Sequence, residues 1–171
     1  MWRIKYLKYS TEMKIALAQL NYTIGDIDGN ANLIIEAVRR AEAEGADLVL
    51  FAEYAVSGTP AYDLLRKTTF LTLCEEALER IAEACHHVTA IVGSPILTEN
   101  GAVSAAAVLR QGRIDEIIEK QHISARREMG FIVSGEGSKV VRIGGCNIAV
   151  YVGNDMTNVN EVDSDVDFVV N

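Results

Sequence analysis

Basic residues are the minority charge in this sequence: 16 Lys and Arg stand against 24 Asp and Glu, a formal net charge of −8. Nucleic acid and anionic membranes are held by basic footprints, so neither is an expected partner. Long apolar runs are missing too. No stretch reaches the roughly 18 residues that a membrane-spanning helix needs. The first twelve residues, MWRIKYLKYSTE, carry no apolar segment of the kind a secretory signal requires. No Gly-Lys-Ser/Thr phosphate loop accompanies Gly25 or Gly29, so this segment is not expected to bind ATP, and no cofactor is expected. Cysteine is scarce. Cys74, Cys85 and Cys146 are odd in number and none pair at metal-ligand or redox spacing. Cys74 and Cys85 lie eleven apart in a helical stretch and read as small buried apolar residues. Reduced thiols fit a cytoplasmic location.

What is present suffices for one globular domain. Of 171 residues, 49% are hydrophobic and 23% charged, enough apolar material for a single core. Residues 13–20, MKIALAQL, read as a strand, with Met13 an alternative start after a twelve-residue extension. Asp26, Asp28 and Asn30 offer helix caps, and Leu33, Ile34, Ala37, Val38 and Ala41 recur at helical spacing up to Gly45. Residues 47–51, DLVLF, have the all-apolar character of a strand buried on both faces. Strand, helix and strand predict a βαβ unit with parallel neighbours.

A second helix is predicted over 69–85, with Phe70, Leu73, Cys74, Ala77, Leu78, Ile81 and Ala84 on one face. Strands follow at 88–96, 102–110 and 113–119, separated by turns at Glu99-Asn100-Gly101 and Gln111-Gly112. Residues 139–143 and 146–152 predict another hairpin, turning at Gly144-Gly145, and 166–170 a last strand. Asp155, Glu161, Asp163, Asp165 and Asp167 give the last eighteen residues five acids and no base. No repeat, linker or low-complexity segment interrupts the chain.

Three predicted strands end on polar groups, where α/β folds place their sites: Glu53, Lys120 and the run Gly153-Asn154-Asp155. A carboxylate and an ammonium converging there make an acid/base constellation. From spacing alone, the favoured reading of these residues is the plainer one, polar groups where strands meet solvent. His86-His87 read as a polar helix end, and His122 as either a pocket or a surface residue.

Several segments carry a resemblance. They are MKIALAQLNYTIGDIDGNANLI at 13–34, DLVLFAEYAVSGTPAYDLL at 47–65, AIVGSP at 90–95, AAAVLRQGRI at 105–114, KQHISARREMGF at 120–131 and GGCNIAVYVGND at 144–155. In order and spacing the chain resembles the nitrilase, or carbon–nitrogen hydrolase, superfamily. Within it the likeness is to the N-terminal glutaminase domain of glutamine-dependent NAD synthetases. The resemblance implies an α/β fold, an α-β-β-α sandwich with a mixed sheet. It also implies amide hydrolysis through a cysteine thioester, freeing ammonia from glutamine for a separate synthetase domain, and a homo-oligomer. Residues 1–12 are then an N-terminal extension, and 13–171 a partial domain expected to be incomplete on its C-terminal side.

In such a site a thiol attacks the amide carbon, a carboxylate takes and returns its proton, and an ammonium holds the oxyanion. By resemblance, Glu53 in FAE stands at the base position and Lys120 in KQHIS at the oxyanion-holding position. Glu128 in EMGF stands at the position of the second glutamate. The nucleophile is missing: Gly153 in VGND occupies its place. Cys146 begins the same predicted strand seven residues earlier, about 23 Å away at roughly 3.3 Å per residue, and is no substitute. Ala52, Tyr54, Thr59, Ser104 and Ile123-Ser124 also depart from the family pattern, all in or beside the active-site loops.

Four readings follow. The domain descends from a glutaminase and is catalytically impaired, with glutamine or another small amide as ligand if the pocket survives. It is an active amidase with a different nucleophile, such as water. It is a non-catalytic paralogue acting as a binding or oligomerisation module. Or it is part of a longer NAD synthetase. Ammonia release from glutamine separates the second from the rest.

Overall fold

The computed structural model describes residues 3–8, 13–123, 128–159 and 164–171. Of the residues named above, Ser124, Glu161 and Asp163 lie outside these, as do the ends of the twelve-residue extension. Within that extension, β1 (Arg3–Lys8) pairs antiparallel with β2 (Lys14–Gln19).

The βαβ unit forms as its periodicities predict. Helix α1 (Ile27–Ala43) starts where the Asp26 carboxylate accepts the Gly29 N–H at 3.0 Å, so of the three candidate caps Asp26 acts. It buries Ala31, Ile34, Ala37, Val38 and Ala41, and β3 (Leu48–Leu50) returns parallel to β2 with Ile15 opposite Leu48. Helix α2 (Thr68–Glu83) buries Phe70, Leu71, Cys74, Ala77, Leu78 and Ile81. Leu73, expected on that face, is 46% exposed. At about 100° per residue it falls roughly 110° from the centre of the buried stripe, and Leu71 takes the flank instead. His86 and His87 are exposed beyond the helix end and do not cap it; the cap is backbone at Ala84.

The antiparallel strands β4 (Thr89–Thr98), β5 (Gly101–Arg110) and β6 (Arg113–Glu119) follow through tight hairpins. The second hairpin turns at Gln111-Gly112, both residues at positive φ, the geometry that matches strand twist. The main sheet runs in the order β1-β2-β3-β4-β5-β6. A second sheet holds β7 (Lys139–Ile143) and β8 (Cys146–Val150) as a hairpin, with β9 (Phe168–Val170) parallel to β8.

Alternation along the strands sorts two cores. Ala16, Ala18, Val49, Ala90 and Val92 meet the two helices on one face of the main sheet. Ile15, Leu48 and Ile91, one residue out of phase, meet Val141, Ile143, Ile148 and Val150 of the second sheet. Alanines dominate the helix-facing side, letting the helices lie close to the sheet. The described residues thus stack as helices, sheet and sheet, the mixed-sheet sandwich architecture implied by the resemblance. Among them no helix covers the outer face of the second sheet, and no helix is long and apolar enough to cross a membrane.

Candidate functional site

The loop after β3 carries Glu53 across the start of the β4–β5 hairpin. It passes close because β4 offers a glycine there: a Cβ on Gly93 would fall 2.4 Å from the Ala52 carbonyl oxygen and 2.6 Å from Glu53 Cα. The loop places Tyr54 at φ 58, in the left-handed region, with its side chain buried.

Lys120 leaves the end of β6 with its N–H donating to the Ser104 carbonyl at 2.8 Å. Its side chain is 2% exposed. Such a charge is tolerated inside a protein only when paired, and Lys120 is paired three times. The Nζ lies 2.7 and 2.8 Å from the two carboxylate oxygens of Glu128 and 3.1 Å from Glu53 Oε1. Burial disfavours the ammonium charge, but the hydrogen bonds and charges of Glu128 and Glu53 outweigh it and hold the Lys120 pKa above its ordinary value. The Ser104 hydroxyl donates to Glu53 Oε1 at 2.8 Å, and the Tyr54 hydroxyl donates to Glu128 Oε1 at 3.1 Å. Burial pushes the Tyr54 phenol up, opposed by a Ser104 hydrogen bond and reinforced by the charges of Glu128 and Glu53.

Gly153 opens a 3-10 turn, Gly153–Asn158, at the end of the β8 segment, with φ 54. A Cβ on it would point into the network, 2.7 Å from Lys120 Nζ and 2.8 Å from Glu53 Oε2. The structure therefore brings Glu53, Lys120, Glu128 and Gly153 together. Lys120 and Glu53, rather than Tyr54, stand against the glycine's bare face. A cavity of about 230 Å³ opens beside them, lined also by Tyr54, Thr59, Pro60, Leu65 and Asn154.

Sequence reasoning missed the part played by Asp155. It is 4% exposed, and its carboxylate accepts the N–H groups of Gln121 at 2.9 Å and His122 at 2.6 Å. The His122 ring Nδ1 lies 3.1 Å from the same carboxylate. Asp155 so ties the segment following Lys120 to the turn opened by Gly153, and His122 is half-exposed beside it. An aspartate two residues after Gly153 was visible in the sequence, but backbone donors leave no sequence signal.

None of the three cysteines lines the cavity. Cys74 and Cys85 lie in the helix–sheet core and Cys146 between the sheets. Burial, helped by Glu75 and Glu42 respectively, pushes the Cys74 and Cys85 thiols up to about 12. Among the described residues no three His, Cys, Asp or Glu side chains cluster as metal ligands.

The carbon-nitrogen hydrolase family matches residues 14–161. The chain is similar to the glutamine-dependent NAD(+) synthetase of Xanthomonas campestris pv. campestris, 36% identical over 151 residues that make up 84% of this chain and 27% of that protein. It spans about a quarter of the length of the curated relatives it matches. Among solved structures, glutamine-dependent NAD+ synthetase from Acinetobacter baumannii superposes with a TM-score of 0.80 at 28% identity, over 86% of this chain and 29% of that one. An amidase from Nesterenkonia sp. shares the fold, with a TM-score of 0.71 at 23% identity, over 81% of this chain and 54% of that one. With most of its length matched and its layers superposing on these structures, the chain belongs to the carbon-nitrogen hydrolase family.

Proposed function

We propose that this chain is a catalytically silent carbon-nitrogen hydrolase domain, related to the glutamine-hydrolysing, ammonia-supplying part of NAD synthetases. In this reading Glu53 stands at the base position, Lys120 at the oxyanion-holding position and Glu128 at the position that orients the lysine. Gly153 stands where the thiol would be. One observation supports the reading above the others: the Cβ direction of Gly153 runs into Lys120 Nζ and Glu53 Oε2 at 2.7 and 2.8 Å. The acid/base pair lies against a residue that has no nucleophile to offer. A thioester needs an attacking atom at that point. Removing the nucleophile from a preorganised site costs on the order of 10⁶-fold in rate in the hydrolase where it has been dissected.

The test is ammonia release from glutamine, set against a heat-killed blank. The expected result is no release above the blank. Steady release that disappears in both Glu53→Gln and Lys120→Ala would overturn the reading, because it would require a working site with some other attacking group.

A further inference from the structure

The β4–β5 hairpin, the turn before α2 and the segment after Glu128 enclose a groove of about 410 Å³, within the roughly 300–1,000 Å³ typical of small-molecule sites. Leu65, Leu71, Leu97, Phe131 and Val133 give it apolar walls, and Leu97 is 37% exposed. The Val133 N–H donates to the Ala102 carbonyl at 2.7 Å, which fixes the far wall to β5. Among the described residues lining the groove, Arg66 is the sole charged one. Its guanidinium is held by two residues that themselves line the groove. It lies 4.9 Å from the centroid of the Phe131 ring, and one terminal nitrogen donates to the Gly130 carbonyl at 3.0 Å. Tyr62 sets the Phe131 ring edge-on, with ring centroids 5.8 Å apart. A guanidinium has five N–H donors in a planar fork. One meets Gly130, and among the described residues Arg66 makes no ion pair.

We infer that this groove binds a medium-chain monocarboxylate, its carboxylate paired with Arg66 and its alkyl tail lying along Leu71, Leu97 and Val133. The guanidinium fork matches the two oxygens of a carboxylate. Its contacts with Phe131 and Gly130 already restrict it, which lowers the entropy lost on binding. A cationic ligand would meet Arg66 as a like charge, and a neutral one would forgo the charge-assisted bonds. The chain's net charge of −8 opposes the approach of any anion, so burial of the tail has to carry most of the affinity. Each added methylene is then expected to tighten binding about fourfold until the groove is filled. Glu53, Lys120, Glu128 and Gly153 do not line this groove, and Leu65 alone is common to it and the cavity beside Glu53. The inference is therefore independent of whether the domain hydrolyses amides.

The probe is sodium octanoate, kept below its micelle concentration, titrated into the isotope-labelled protein and followed by amide NMR at constant ionic strength. Saturable shifts are expected at the amides of Gly101, Gly130, Phe131 and Val133 and at the Arg66 side-chain N–H. Hexanoate should produce the same pattern more weakly, and acetate, which has the charge without the tail, should not saturate. Octylammonium has the same tail with the opposite charge and is expected to bind about tenfold or more weakly. The net charge of the protein biases that comparison toward octylammonium, so a preference for octanoate has to come from the groove itself. Arg66→Gln should weaken octanoate about fivefold or more and leave octylammonium no weaker. The comparison of the two tails uses the unmodified protein and stands even if the variant does not fold. Absence of saturable octanoate binding, equal or tighter binding of octylammonium, shifts centred on Tyr54, Lys120 and Asn154 instead, or full octanoate affinity in a folded Arg66→Gln would each overturn the inference.

Discussion

Gly153 does two things at its position that favour glycine over other residues. It takes φ 54, and it leaves room for Lys120 Nζ and Glu53 Oε2 to close to within 2.8 Å of the place a Cβ would occupy. Left-handed backbone costs a non-glycine residue about 1–2 kcal/mol, and the added carbon must also displace side chains held by three ion-paired hydrogen bonds. Gly153→Ala and Gly153→Cys are each expected to lower unfolding free energy by about 2 kcal/mol in urea titrations. Gly153→Cys alone is expected to release no ammonia from glutamine, because the incoming thiol would first have to part Lys120 from Glu53. A Gly153→Cys protein as stable as the parent and active on glutamine would show that the network opens freely. At this scale the chemical types at 53, 120, 128 and 153 were legible from the chain. The pairing of Lys120 with both carboxylates was not, since it depends on the approach of groups 67 and 8 positions away in sequence.

Between elements, the controlling contact is the buried carboxylate of Asp155. It joins the segment after β6 to the turn after β8 by accepting two backbone N–H groups, and those donors have no other partner recorded among the described residues. Asp155→Ala should therefore cost about 3 kcal/mol, the penalty of leaving two such groups unsatisfied and a small void. It should also speed hydrogen exchange selectively at the Gln121 and His122 amides. Unchanged exchange at those two amides would mean that the segment is held by other contacts. The hairpins at this scale were legible because a turn is written in two or three adjacent residues. Leu73 falls off the buried stripe because the eight apolar positions in α2 permit more than one stripe, and only the sheet beneath chooses between them.

For the molecule as a whole, several groups bind their protons more tightly when folded than when unfolded. Cys74 and Cys85 rise from 9.0 to about 12 through burial. Tyr54 and Tyr22 rise above 10.0, again chiefly through burial, and Lys120 rises above 10.5 through its carboxylate partners acting against burial. Each raised value means that the stabilisation is fully present below the unfolded pKa and is lost as pH climbs through the folded one. The shifts all act in the same direction. Stability by urea titration is expected to hold at neutral pH and to fall continuously from about pH 9 upward. A flat profile from about pH 9 to pH 11 would contradict this linkage. Replacing Cys74 and Cys85 by alanine should delay the onset by removing the two groups that titrate first.

The chain by itself determined the order of elements, the parallel βαβ opening, the hairpins at their glycine-containing turns, and the presence of two carboxylates and one ammonium without a thiol at 153. These depend on periods of two and 3.6 residues and on turn residues, all written locally. Tertiary structure alone decided that the alanine-rich face of the main sheet meets the helices, that Asp155 holds the lysine segment, and that Lys120 pairs with both Glu53 and Glu128. Those outcomes depend on ångström-scale approach between loops distant in sequence. That approach is set by two packed sheets together, and no single segment of the chain encodes it.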